Sequence, residues 1–168
     1  TSPPSEAMAI HTRLMTCTLE MESARAFWAL PIDAHTSTQN AFDSYVFGNR
    51  SLSRVAVLLQ TLRGRFAAFP EALTALHTHG PQIPADGRRL ICHWHLQLSD
   101  PLYRAFTGAL LVERAERAHP DISKNTVIDW VTDQVGERWN ISTRVLFAGK
   151  LLSTALSAGL LRSNRDPR

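Results

Sequence analysis

Ser51–Phe69 reads SLSRVAVLLQTLRGRFAAF, and this stretch decides the fold. Leu52, Val55, Leu58, Leu59 and Leu62 recur at three- and four-residue intervals, so they share one face of a helix. Ser51 offers a side-chain oxygen to the first turn, as an N-cap should. Pro70 then stands at the first position of a second, shorter helix, Glu71–His77, where its missing amide costs nothing.

Upstream, Gly48-Asn49 is a stop signal for a helix that Thr36 or Ser37 caps and that runs to about Phe47, carrying Phe42, Tyr45 and Val46. Earlier still, Met15, Leu19, Ala26 and Leu30 predict a helix over Ala7–Leu30, ended by Pro31 and Asp33. Thr1–Ser5 (TSPPS) reads as a flexible start. Downstream, Gly80–Pro84 (GPQIP) is the clearest break in the chain. It predicts two parts, residues 1–80 and 81–168. In the second part Asp86 leads a helix over Arg88–Leu98, and Asp100-Pro101 opens one that runs to about Ala118. His119-Pro120 closes that helix. Ser123 caps Thr126–Trp139, Asn140 breaks the run, and Ser142 begins a last helix that ends near Gly159. Period-two runs of β-branched residues are missing, so the expected fold class is all-α.

Of the 168 residues, 44% are hydrophobic, which is enough for a sizeable core. Cys17 and Cys92 stand far apart without a CxxC partner and read as reduced thiols. No secretory segment opens the chain, and no run approaches the roughly 18–20 apolar residues of a membrane span. A cytoplasmic protein without a membrane partner is the expectation.

The chemistry-bearing patterns are sparse. Asp129 and Asp133 lie four apart with Glu137 following, but no His or Cys stands beside them, so they read as a solvated face. His77-x-His79 and Cys92-His93-x-His95 have ligand chemistry at the wrong spacing, because residues two apart on a helix diverge by roughly 200°. His93 and His95 instead flank Trp94 in an expected helix interface. Ala148-Gly149-Lys150 lacks the other residues of a phosphate loop. The Trp and Phe residues fall mainly on apolar faces and read as core. No catalytic residue, cofactor or metal is expected.

Charge is more informative. The net +3 comes from eighteen basic residues, of which only Lys124 and Lys150 are lysines. A GC-rich genome raises arginine without any functional reason; arginine is also the better residue for bidentate phosphate contacts. Between Ser44 and Pro70 stand Arg50, Arg54, Arg63 and Arg65 with no acid. From Arg138 to Arg168, Arg138, Arg144, Lys150, Arg162, Arg165 and Arg168 face one acid, Asp166, whereas Glu6–Asp43 is acid-rich. Arg50 and Arg54, one turn apart at a helix start, suggest a phosphate-contacting edge.

Several of these segments, taken in order, resemble the BrxA family of BREX phage-defence systems. They are Asn49–Val55, Leu62–Phe66, Phe69–Leu73, Asp100–Arg104, the helix with Trp130 and Trp139, Ser142-Thr143-Arg144, Lys150–Ser153 and Ala158–Leu161. The likeness covers about residues 8–162. It implies a helix-turn-helix-like N-terminal subdomain followed by a NusB-like helical bundle. It also implies non-catalytic binding of double-stranded DNA alongside other BREX system proteins. The family has carried the label of an inner-membrane protein, against which the lack of a spanning run argues. Relatives usually continue past the last Leu-Leu with more basic sequence than this chain has. On this reading Arg50, Arg54, Arg63 and Arg65 contact phosphates from the first part, and Arg144, Lys150 and Arg162 from the second. A protein-interaction adaptor, or an RNA-binding module like NusB, would use the same arginines.

Overall fold

A computed structural model of the chain describes residues 4–31 and 36–163. Among them no strand occurs; the fold is all-α. The helices are α1 (Met21–Trp28), α2 (Thr38–Asp43), α3 (Leu52–Ala67), α4 (Pro70–His79), α5 (Ala85–Ser99), α6 (Pro101–Ala105), α7 (Leu111–Ala115), α8 (Lys124–Val135) and α9 (Ile141–Ser157). Five helices begin by one device, an N-cap side chain that accepts the amide three residues on. Ser37 takes Asn40 N at 3.0 Å, Ser51 takes Arg54 N at 3.3 Å and Asp100 takes Tyr103 N at 3.0 Å. Ser123 takes Thr126 N at 3.1 Å and Asn140 takes Thr143 N at 2.8 Å. Among the described residues no helix is long and apolar enough to cross a membrane.

The chain divides into two compact units. Unit 1 is Thr1–Ala7 with Leu19–Ser99; unit 2 is Met8–Thr18 with Asp100–Arg168. The division therefore falls at Asp100, and not at Gly80–Pro84 as the sequence break suggested. The reason is packing. Gly80 is buried inside unit 1, and a Cβ there would come within 3.2 Å of the Trp28 ring. His77 Nδ1 also lies 2.9 Å from the Trp28 carbonyl. The Gly-Pro signal marks a tight turn over a tryptophan, taken by a short 3-10 turn, Gly80–Gln82, before α5.

In unit 1, α1, α3 and α5 enclose Trp28, Val55, Leu58, Leu59, Leu62, Phe66 and Leu96. Phe66 is the hub of an aromatic cluster: Phe27 stacks at 5.8 Å between centroids, Trp28 presents its edge at 5.8 Å, and the His95 ring lies at 4.4 Å. Burying each such side chain is worth roughly 1.5–3 kcal/mol before entropy is counted. His93 and His95 of α5 are buried, as an interface position requires, but Trp94 between them is exposed and not part of that interface.

The predicted helix over Ala7–Leu30 does not form as one piece. Only Arg13–Met15 makes a 3-10 turn before α1, and Glu20 takes a left-handed φ of 56°. The segment serves two cores: Leu14 and Cys17 are buried in unit 2, while Leu19 and Ala24 are buried in unit 1. A continuous helix has one direction and cannot do both. The Pro31 stop is consistent with α1 ending at Trp28; Asp33 lies outside the described residues, as do Thr1–Pro3 of the expected flexible start. Ser5 is tied down, its amide donating to Ala68 O at 2.9 Å.

In unit 2, α8 and α9 pack along each other, and the Arg13–Met15 turn packs on α9. Val127, Val131, Phe147, Ala148, Leu151 and Ala155 are fully buried. Phe106 packs toward Trp130 at 6.0 Å and Trp139 toward Phe147 at 4.9 Å. Between α6 and α7 the helix widens into a π turn, Phe106–Leu110, so Pro101–Ala115 is one run with an altered pitch. Trp139 is not part of α8, which ends at Val135 because Gly136 turns the chain with φ 56°.

Candidate nucleic-acid interface

The four arginines of α3 and its approach have different fates. Arg50 is exposed and makes no ion pair among the described residues. Arg54, one turn on, is 33% exposed and donates from Nη2 to Glu20 Oε1 at 2.7 Å. Glu20 is the N-cap residue of α1 and also accepts from Ser23 Oγ at 3.2 Å. Arg63 donates to the Thr36 carbonyl. Arg65 is only 5% exposed, and its Nη1 donates to the Leu19 carbonyl at 3.3 Å. Arg54, Arg63 and Arg65 thus hold preceding chain segments onto α3. Each of these three gives part of its donor capacity to a protein acceptor, and Arg65 is in addition buried.

Arg65, Arg88 and Glu22 surround Cys92. Burial pushes the thiol up to about 12, against the opposing pull of Arg65 and Arg88. A thiol so fully protonated is a poor nucleophile. Burial also lowers the His93 and His95 imidazoles below their ordinary value. Among the described residues no group of three His, Cys, Asp or Glu side chains is placed to hold a metal. Both cysteines are buried and neither is in a disulfide. Asp129, Asp133 and Glu137 are exposed. Gly149-Lys150 lies inside α9, so the backbone amides of a phosphate loop are engaged in the helix.

In unit 2 no Asp or Glu occurs from Trp139 to Ser163. Arg162 is exposed, while Arg144 and Lys150 are half-buried. The Arg144 ε nitrogen is buried without a hydrogen-bond partner. Arg138 turns back on its own helix end, donating to Val135 O at 3.3 Å and Gln134 O at 3.4 Å. Arg165 and Arg168 lie outside the described residues. Lys124, at the start of α8, was not singled out from sequence, yet it lines one groove with Lys150. A second hollow of about 440 Å³ brings Arg162 together with Arg114, which stands 3.9 Å from Asp121. Among the described residues, the basic side chains without an acidic partner include Arg50 in unit 1 and Lys124, Arg144, Lys150 and Arg162 in unit 2.

No protein-family profile, curated protein or solved structure matches this chain.

Proposed function

We propose that this is a non-catalytic, cytoplasmic protein that binds double-stranded DNA through phosphate contacts, as an accessory component of a BREX-type phage-defence system. The observation that carries this reading is the acid-free run from Trp139 to Ser163, with Arg144, Lys150 and Arg162 on it, joined by the unpartnered Arg50 of unit 1. Basic side chains without an ion-pair partner have phosphate as a natural counter-charge. The resemblance to the BrxA family, with its helix-turn-helix-like and NusB-like parts, points the same way. Such contacts position a protein on the duplex and do not read base sequence.

The test is duplex binding by fluorescence anisotropy across a salt series. Affinity is expected to fall linearly in log–log coordinates, with a slope of about −0.9 for each neutralised phosphate. Reversing Arg50 and Arg162 to Glu should weaken binding to unrelated duplexes equally and flatten that slope. Affinity that ignores salt, or a double variant that binds as the parent does, overturns the reading. Tighter binding to duplex RNA than to DNA favours the NusB-like alternative. The adaptor alternative draws its support from one helix face.

A further inference from the structure

We infer that the outer face of α9 docks an amphipathic helix of a partner protein that carries acidic side chains in its first turn. This goes beyond the DNA reading and does not depend on it. Six apolar or small residues of α9, Phe147, Ala148, Leu151, Leu152, Thr154 and Ala155, fill one side of the helix and bury it in unit 2. The opposite side is unusual for a solvent face. Ile141, at the helix start, is 73% exposed and Leu146 49% exposed; with Val145 and Gly149, and with Ser142 and Ser153 between them, they line an open groove of about 660 Å³. Single exposed apolar residues need no explanation, but two that share a groove offer a pair of docking points. Elsewhere in unit 2 the outer helix faces carry acids, Glu113 and Glu116 about α7, Asp129 and Asp133 on α8. The α9 strip has none.

The charge on the strip is confined to one end. Lys150 borders it, and Lys124 reaches over from α8, its Cε 3.9 Å from where a Gly149 Cβ would be. These are the only two lysines in the chain. Neither has an ion-pair partner among the described residues. The groove thus offers Ile141, Val145 and Leu146 toward one end and Lys150 toward the other, over a length of about 14 Å at the usual helical rise. A helix lying antiparallel to α9 places apolar anchors at three- and four-residue spacing on Ile141, Val145 and Leu146. Its first turn, where acidic side chains are already favoured by the helix dipole, meets Lys124 and Lys150. A second copy fits less well, because the strip offers no acid to answer its own lysines. Duplex DNA has no apolar counterpart for Ile141 and Leu146.

The experiment uses the full chain and two synthetic helices of about 14 residues. Both carry the same leucine stripe; one has three Glu in its first turn and the other three Lys. Binding is read by anisotropy for the parent, for Lys124→Glu with Lys150→Glu, and for Ile141→Ser with Leu146→Ser. The parent should bind the Glu helix roughly tenfold or more tightly than the Lys helix. The lysine-reversed variant should invert that preference, and the serine variant should lose both ligands while keeping its melting temperature. Lys150 is shared with the DNA reading, so the control is Arg50→Glu with Arg162→Glu, which touches the DNA reading alone and should leave helix binding unchanged. The proposal is overturned if the parent binds neither helix or both equally, or if charge reversal fails to invert the preference. It is also overturned if the serine variant abolishes a dimer seen by sedimentation, or abolishes duplex binding.

Discussion

Arg50 and Arg54 are one turn apart in sequence, but charge reversal should affect them differently. Arg50→Glu removes an exposed cation and should leave stability within about 0.5 kcal/mol of the parent. Arg54→Glu sets a carboxylate beside Glu20, which is 17% exposed and loses its 2.7 Å partner. The expected loss is roughly 1–2 kcal/mol, or several degrees in Tm by calorimetry. An unchanged Tm for Arg54→Glu would show that the Glu20 contact carries no stability. The histidines of α5 give a second expectation. In the unfolded chain His93 and His95 titrate near the ordinary value of about 6.5; burial lowers both in the fold. Between the two values the unfolded chain binds more protons, so stability falls as pH drops through about 6.5 and levels off below the folded values. Melts at pH 8, 6.5 and 5.5 should show the decline, and His95→Gln should flatten it; a Tm that rises on acidification contradicts the assignment. Part of the residue-level picture was legible in advance. Arg65 follows Leu58 by seven and Leu62 by three, which puts it on the buried stripe of α3. The Arg54 pairing was not legible, because Glu20 stands 34 residues away and its approach depends on how α1 and α3 pack.

Two glycines should respond in opposite senses to the same substitution, because one sits within a helix and the other ends one. Gly64 lies inside α3, exposed, with nothing within 4 Å of an added Cβ. Gly64→Ala should therefore stabilise by about 0.5–1 kcal/mol through helix propensity. Gly136 has φ 56° and ψ −139°, a conformation that is close to exclusive to glycine. Gly136→Ala should cost roughly 1–3 kcal/mol although space is available. Urea titrations of both variants measure the pair, and equal signs would refute the backbone argument. At this scale the sequence was most informative where an end signal was local. The caps at Ser37, Ser51 and Ser123 lie where the residues announced them, whereas α2 ends at Asp43 and does not reach Phe47 and the Gly48 stop. Asn140 was read as a break and is in fact the cap of α9. Periodicity misled over Ala7–Leu30, where apolar residues at helical spacing belong to two different cores. A single-residue spacing cannot say which body each side chain enters. The π turn at Phe106–Leu110 left no mark in the residue pattern either.

For the whole molecule, the all-α class followed from the pattern of α3 and its neighbours, whereas the division into units did not. A boundary set by which segments touch is invisible to local composition, and the Gly-Pro signal marked a turn over Trp28 instead. The basic residues show the same limit: sequence could count the arginines of α3 but not see that three of them also bond neighbouring chain, and it gave no reason to join Lys124 to Lys150. The assignment of Met8–Thr18 to unit 2 has a consequence for biosynthesis. The residues needed for unit 1 are all translated by Ser99, while Leu14 and Cys17 still lack α9, which is made much later. At about 5–20 residues per second the nascent segment spends several seconds without its partner. A chain truncated after Val135 should therefore leave Cys17 open to maleimide labelling while Cys92 stays protected, and the full chain should protect both. Of the two thiols, the one made first is the last to be sheltered, so oxidative damage during translation should fall on Cys17.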